Sequence, residues 1–417
     1  MTERIHASDL YDRGGSRPFL RRVRIRNYKS IGKCEVELCG LTVLVGRNGS
    51  GKSNFLDALR FVVEGLQTSL DHAVKSRGGI DSVRRRSTGH PRNFGIELDI
   101  ELGDFSHATY GFEIAGRGQG KFVVKHEHLK VVSASGDALA SYDVEEGKST
   151  TNSVAALPAV VPDRLYLVPA ASLPKFRSVY DALLSMGFCN LNPDSMKELQ
   201  SPDAGELLHR DGSNIASVIA RLRSSKPEVF ARIQEYLRTI VPEVTDVDRV
   251  ALGPRETLEF RQEVKGSRYP WKFYAANMSD GTLRALATLV AVTQLAHRDS
   301  PVSLIGIEEP ETALHPAAAG ALMDALREAA SHTQVVATSH SPDLLDQVDP
   351  EKEGLLVVVS RAGKTEIAPV DKGSLETIRK HLYSPGELLR MDQLEPDKED
   401  LKRQEQLRLF GGDEDDA

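Results

Sequence analysis

The sequence is poor in cysteine, in aromatic residues and in long apolar runs. Its 3 cysteines, Cys34, Cys39 and Cys189, form no C-x-x-C and stand beside no histidine pair at zinc spacing. Free thiols in a reducing compartment are therefore expected, which excludes a disulfide scaffold and a structural zinc site. No run of roughly 18 apolar residues occurs, so no membrane-spanning helix is expected. The first residues carry Glu3, Arg4, Asp9 and Arg13 with no apolar stretch behind them, unlike a secretory leader. A cytoplasmic protein without a membrane partner is the resulting expectation. Aromatics make up 6% of the chain with 1 tryptophan, which gives no sign of base stacking along a single nucleic-acid strand. No heptad pattern is sustained, and no internal repeat stands out. The formal net charge of -7 excludes a general polycation, so any contact with nucleic acid has to come from local patches.

What remains is an ordinary globular composition, 40% hydrophobic and 27% charged, with ample material for a large core. Residues 1–18 read as a loose arm. Alternation through Leu20, Val23 and Ile25, and again through Ile31, Val36 and Leu38, predicts short strands. Leu41–Val45 is a β-branched apolar run suited to a strand buried on both faces. Helical spacing follows at Phe55, Leu59, Val62 and Leu66. Residues 95–102 and 122–132 read as antiparallel strands, 133–152 as a loop, and 164–168 as another buried strand. The stretch 172–240 is mainly helical and 244–275 returns to strand-like alternation. From Met278 strands alternate with helices, which implies a parallel sheet. The expected organisation is an N-terminal lobe over 19–170, a helical lid over 171–243, a C-terminal lobe over 244–370, and a helical segment with an acidic tail over 371–417.

Residues 46–53 read Gly46-Arg47-Asn48-Gly49-Ser50-Gly51-Lys52-Ser53, followed by Asn54. This is G-x-x-x-x-G-K-S between a buried strand and a helix, the context a phosphate-binding loop requires. Glycines let the backbone close tightly, inward N–H groups and the helix N-terminus attract anions, Lys52 reaches the β- and γ-phosphates, and the Ser53 hydroxyl suits Mg²⁺. ATP and Mg²⁺ are the implied ligands. Residues 304–311, Leu-Ile-Gly-Ile-Glu-Glu-Pro-Glu, bring two carboxylates to a strand end. Alternation sends neighbouring side chains apart, which assigns Glu308 to the metal and Glu309 to the attacking water. The bland reading is a solvated acidic turn. Residues 335–341 end a second apolar strand on His340, which can bond a γ-phosphate or orient water; taken alone, such a histidine is more often structural. Met278-Ser279-Asp280-Gly281-Thr282 stands just before a helix and, taken alone, could be a helix cap.

In this order the motifs resemble the ABC-type P-loop ATPases of the RecF and structural-maintenance-of-chromosomes branch. More narrowly, they resemble compact bacterial ATPases of overcoming-lysogenization-defect-like and other phage-defence systems. Ile25-Arg-Asn-Tyr-Lys-Ser-Ile31 is similar to that branch's opening. Glu308-Glu309-Pro310-Glu311 with Leu314-His315-Pro316 is similar to its Walker B segment, and Thr338-Ser339-His340-Ser341 to its histidine switch. The resemblance implies an ABC-ATPase head of α/β class, with a mixed or parallel central sheet, an antiparallel β subdomain and a helical lid. It also implies a head-to-tail dimer or higher oligomer in which Lys52, Ser53, Glu308, Glu309 and His340 of one head meet Ser279 and Gly281 of the other. Three departures stand out. Glu308 replaces the more usual aspartate, and the signature lacks Leu-Ser-Gly-Gly-Gln. The glutamine that normally contacts Mg²⁺ in this family has no evident counterpart. The long arms and zinc hook of the chromosome and repair ATPases are missing, and the stretch after Val359 is too short for a Toprim nuclease. A separate nuclease or other effector is therefore the expected partner. An ABC-transporter ATP-binding subunit, or an ATP-gated module with little hydrolysis, are the alternatives.

Basic residues Lys75, Arg77, Arg84, Arg85, Arg86 and Arg92 fall within one turn-rich stretch. They could meet the backbone of duplex DNA, or form a solvated loop or a contact for an acidic protein.

Overall fold

Alternating burial along residues 20–37 produces the first antiparallel pair, β1 (Leu20–Tyr28) and β2 (Ile31–Glu37). β3 (Leu41–Val45) is buried at every position, as its continuous apolar run requires. It leads through a glycine turn into α1 (Lys52–Gln67), where Phe55, Leu59, Val62 and Leu66 form the buried stripe. The computed structural model describes residues 19–87, 91–104, 106–152, 159, 161, 163–295 and 302–406. The expected N-terminal arm and the acidic tail beyond residue 406 lie outside the described residues.

Three local expectations are corrected. The basic stretch after α1 is not simply a loop, because it closes α2 (Leu70–Lys75), capped by Ser69, and holds the short α3 (Ile80–Val83). Residues 133–152 are not a loop either. After β4 (Asn93–Glu101), β5 (His107–Gly118) and β6 (Lys121–Val132), the antiparallel meander continues as β7 (Ala138–Glu145) and β8 (Lys148–Asn152). In β7 only Ala140, Tyr142 and Val144 face inward, and the polar side chains between them hide the period in the sequence. The expected strand at 164–168 is a turn running into α4 (Leu167–Ala170). Its short apolar run could not tell strand from helix. There the backbone N–H groups of Tyr166 and Leu167 are taken by the buried carboxylate of Glu127 rather than by a sheet. α5 (Pro174–Leu184) follows.

The chain folds as two compact units. The first holds residues up to Met186, and the second holds Gly187–Asp349 and Tyr383–Arg390. The second opens with β9 (Met186–Cys189), α6 (Pro193–Lys197), α7 (Ile215–Ser225) and α8 (Pro227–Ile240). An antiparallel sheet of β10 (Val244–Leu252), β11 (Arg255–Gln262) and β12 (Trp271–Tyr274) comes next. Then α9 (Asp280–Leu295), β13 (Leu304–Glu308), α10 (Ala319–Ala330), β14 (Gln334–Ser339) and α11 (Pro342–Leu345) alternate, with β13 and β14 parallel. Of the segment expected as a helical lid, α5 belongs to the first unit and α6–α8 to the second.

The chain returns to the first unit with β15 (Gly354–Arg361), β16 (Lys364–Pro369) and α12 (Lys372–Arg379). After α13 (Pro385–Arg390) in the second unit, α14 (Lys398–Glu405) completes the first. Strands of the first unit run β8-β7-β6-β5-β4-β1-β2-β16-β15-β3. The sheet is mixed: β15 pairs parallel with β3 and β16 parallel with β2, while the meander is antiparallel. Among the described residues, no helix is long and apolar enough to cross a membrane.

Candidate functional site

In the first unit, β3 delivers the backbone into the loop 46–51, and the loop is shaped by what would obstruct a side chain. A Cβ on Gly46 would stand 2.1 Å from the Val358 carbonyl oxygen of β15. Gly51 has φ +106, and a Cβ there would stand 2.1 Å from the Thr365 hydroxyl of β16. Both positions therefore demand glycine, the second for conformation as well as space. Gly49 is also left-handed, at φ +78, with open space around it. Lys52 opens α1 and is buried, and its ammonium donates to the carbonyls of Gly46 (2.7 Å) and Arg47 (3.1 Å). Arg47, Asn48, Gly49 and Ser53 are exposed around it.

Support for the loop comes from far away in sequence. The Thr365 hydroxyl donates to the Ser50 carbonyl at 2.8 Å and shares a 2.7 Å hydrogen bond with Ser30. Ser30 in turn accepts from the Asn54 amide at 2.6 Å. The Ser50 hydroxyl is buried without a hydrogen-bond partner. An orphaned buried hydroxyl, two left-handed glycines and a lysine at a helix N-terminus are a donor set suited to a polyphosphate.

On the far side of α1, Asp57 accepts from the Tyr28 hydroxyl (2.7 Å), from Arg77 (2.9 and 3.0 Å) and from Lys29 (2.6 Å), and also pairs with Arg60. Burial raises its pKa, but the Arg77 and Lys29 cations outweigh that and hold it well below the usual carboxylate range. Arg77 is 3% exposed and is thereby removed from the basic surface expected on this stretch. Lys75 pairs with Asp71, and Arg84 with Asp81 at 2.7 Å. Arg85 is half-buried and Arg86 exposed.

In the second unit, β13 ends on Glu308, whose carboxylate meets Arg210 at 3.3 Å. The alternation expected across Glu308 and Glu309 stops there, because Glu309 turns left-handed at φ 45. A bulky residue in that region is uncommon and is held by its surroundings. Here the Glu309 N–H donates to the Thr338 carbonyl (3.1 Å) and hydroxyl (3.2 Å). The turn aims the Glu309 carboxylate at His340, with Oε1 3.4 Å from Nδ1, which makes no hydrogen bond. Behind them lies Glu311, mostly buried. Its Oε1 accepts from the Ser339 hydroxyl (2.6 Å) and the His340 N–H (3.3 Å), and its Oε2 is buried without a partner. Burial pushes the Glu311 carboxyl up against the opposing effect of those donors. His315 Nδ1 accepts from the Ala317 N–H and caps the following turn.

The Ser279 hydroxyl accepts from the Thr282 N–H at 3.2 Å and lies 2.8 Å from its hydroxyl, capping α9. A Cβ on Gly281 would stand 2.2 Å from the carbonyl oxygen of Ala313, so this glycine lets the head of α9 close on the turn after Glu311. The second unit thus brings Glu308, Glu309 and His340 together, and sets Gly281 against their turn. Arg210, Thr338 and Glu311 contact these residues, and the motif reading gave them no role. Glu311 stood inside the quoted motif, whereas nothing at Arg210 marks its partner.

A family model described as an AAA domain, putative AbiEii toxin of a type IV toxin–antitoxin system, matches residues 41–346. The DNA replication and repair protein RecF of Brucella abortus is 27% identical over 139 residues, 33% of this chain and 33% of RecF; the Brucella suis protein matches equally. The chain thus covers a third of the length of these relatives. Among solved structures, an Smc head bound to the C-terminal winged-helix domain of ScpA aligns with TM-score 0.52 and 17% identity. It covers 86% of this chain and all of the Smc head (100%). The fold is therefore that of an ABC-type P-loop ATPase head, as the motifs implied.

Proposed function

The chain belongs to this AAA-domain family, and from that premise we propose that it binds ATP with Mg²⁺ and hydrolyses it as a nucleotide-driven switch. The observation that carries the reading is the phosphate loop. Its Gly46 and Gly51 are obligatory, its Lys52 ammonium is held at the loop mouth, and its Ser50 hydroxyl has no protein partner. Ser53 and Glu308 offer hard oxygen donors and are assigned to Mg²⁺, which would neutralise charge on the β- and γ-phosphates. Lys52 stabilises charge developing on the γ-phosphate. Glu309 positions or deprotonates the attacking water, and His340, 3.4 Å from it, steadies that carboxylate or bonds the phosphate. Arg210, 3.3 Å from the Glu308 carboxylate, balances its charge.

The switch is a head-to-tail dimer in which Ser279 and Gly281 of one head approach ATP on the other, with 171–243 as a lid. Ser279 then exchanges its capping role for the ligand. The setting proposed is phage defence or DNA surveillance with a separate effector, and the likeness to a DNA replication and repair protein supports the second of these. Duplex DNA along Arg84, Arg85 and Arg86 belongs to the same proposal.

Phosphate release by wild type and Glu309→Gln, with sizing in ATP, tests the reading. Loss of a positioned general base lowers turnover by roughly 10²–10⁴-fold. The variant should lose hydrolysis and accumulate as an ATP-bound dimer. Equal hydrolysis by both proteins would remove Glu309 from the chemistry. Absence of ATP binding by both would remove the switch.

A further inference from the structure

The single tryptophan of this chain is not in the core. Trp271 is 55% exposed, and within the same short stretch Tyr269 is 69% and Tyr274 42% exposed. The core duty of this sheet is met elsewhere, because Val247, Leu258 and Phe260 are fully buried beneath β10 and β11. The exposed aromatics of β12 and of the turn before it are therefore surplus to packing, and exposed rings gathered in one short stretch mark a recognition surface.

Three further observations say what the surface recognises. First, residues 264–274 contain Lys265, Arg268 and Lys272 and no Asp or Glu, in a chain whose net charge is -7. Lys272 pairs with Glu259 at 2.9 Å, while among the described residues no carboxylate lies within ion-pair distance of Lys265 or Arg268. Second, the Trp271 ring is held in place by its polar edge. The Trp271 indole N–H donates to the Ser267 hydroxyl at 3.1 Å, and that hydroxyl donates to the Tyr269 carbonyl at 2.7 Å. The Arg268 guanidinium lies 5.6 Å from the Tyr269 ring centre. Trp271 and Phe273 fall on one face of β12, with centroids 6.3 Å apart and planes inclined by 34°. Third, among the described residues β12 pairs only with β11, and it is an edge of its sheet.

We infer that β12 and the turn before it, Lys265–Tyr274, form a stacking platform for a single strand of nucleic acid. Bases would stack on Trp271 and Tyr269, with Lys265 and Arg268 on the backbone phosphates. A preordered ring with a bare face loses little freedom on binding, and aromatic stacking accepts any base. A duplex hides its base faces and is a poor ligand for such a strand. An apolar protein partner would not call for cations without acidic neighbours.

Trp271 is its own reporter. The full chain, without nucleotide, is titrated with oligodeoxythymidylate, with oligouridylate, and with a DNA duplex of equal length, while Trp271 emission is followed. Saturable quenching by a single strand is expected, with the duplex markedly weaker. The DNA and RNA arms identify which source the platform prefers. In anisotropy with a labelled strand, Trp271→Ala and Tyr269→Ala should each weaken binding by roughly 5- to 100-fold, one stacked base in each case. Trp271→Phe should retain most of the affinity. Arg268→Ala should flatten the salt dependence, each phosphate contact contributing a slope of about 0.7. Unquenched Trp271 with both single strands, equal quenching by the duplex, or unchanged affinity in a natively folded Trp271→Ala protein would overturn the inference. Because no ATP is present, none of these outcomes depends on hydrolysis.

Discussion

Glu127 of β6 offers the sharpest test of the packing. Its carboxylate is fully buried. One oxygen accepts from the Tyr110 hydroxyl (3.2 Å), the Tyr142 hydroxyl (2.9 Å) and the Leu167 N–H (2.8 Å), and the other accepts from the Tyr166 N–H. Burial pushes the pKa up and the four donors oppose it, leaving it at about 7 against an ordinary 4.5. The folded state therefore binds this proton more tightly than the unfolded state does. Its contribution to stability is fully present below about pH 4.5, falls as pH rises through about 7, and is level above that. The shift corresponds to roughly 3 kcal/mol across the window. Glu127→Gln removes the titration. It also turns an amide toward the Tyr166 N–H, which costs about 1–3 kcal/mol for an unsatisfied buried donor. The variant should be clearly less stable than wild type at pH 5, and the gap should close or reverse by pH 8. Denaturant unfolding at several pH values measures the gap. Hydrogen exchange at the Tyr166 and Leu167 amides, corrected for intrinsic rate, localises it. Parallel stability curves for the two proteins from pH 5 to 8 would refute the reasoning.

Two further outcomes follow, one from each cluster. Gly51→Ala places a methyl 2.1 Å from the Thr365 hydroxyl at a φ of +106, so the chain should fold but lose the thermal stabilisation that Mg-ATP gives wild type; an equal shift in both proteins would show that the loop tolerates a side chain there. Glu311→Ala releases the Ser339 hydroxyl and the His340 N–H, so ATP turnover should fall tenfold or more while KM for ATP changes little. Glu311→Gln keeps an acceptor for both donors and should restore most of the rate, and wild-type turnover in Glu311→Ala would end the positioning role.

The parts of the site that could be read from sequence are those carried by contiguous residues. The loop from Gly46 to Ser53, the Glu308–Glu309 pair at a strand end and His340 at another declare themselves by residue type beside an apolar run. Their partners do not. Thr365 grips the loop from the far end of the chain, Arg210 meets Glu308 across 98 positions, and nothing local marks either. Arg77 reads as part of a basic loop because sequence displays charge without showing burial beside Asp57. The β7–β8 hairpin was obscured by its polar outer face, and residues 164–168 were too short to choose between strand and turn. An average of 6% aromatics does not show that Tyr269, Trp271 and Tyr274 stand exposed in one short stretch.

The bond from Thr365 to the Ser50 carbonyl joins residues 315 positions apart. The phosphate loop is thus a local motif without being a locally completed structure. During synthesis Lys52 and its glycines leave the ribosome long before the strand that braces them. A growing chain therefore carries the nucleotide signature long before it has the brace. The contact arises only when β16 docks beside β2, a pairing with a large loop-closure cost that is slow to form. Competence for nucleotide is in this way tied to completion of the first unit, and an unfinished chain holds its phosphate loop unsupported.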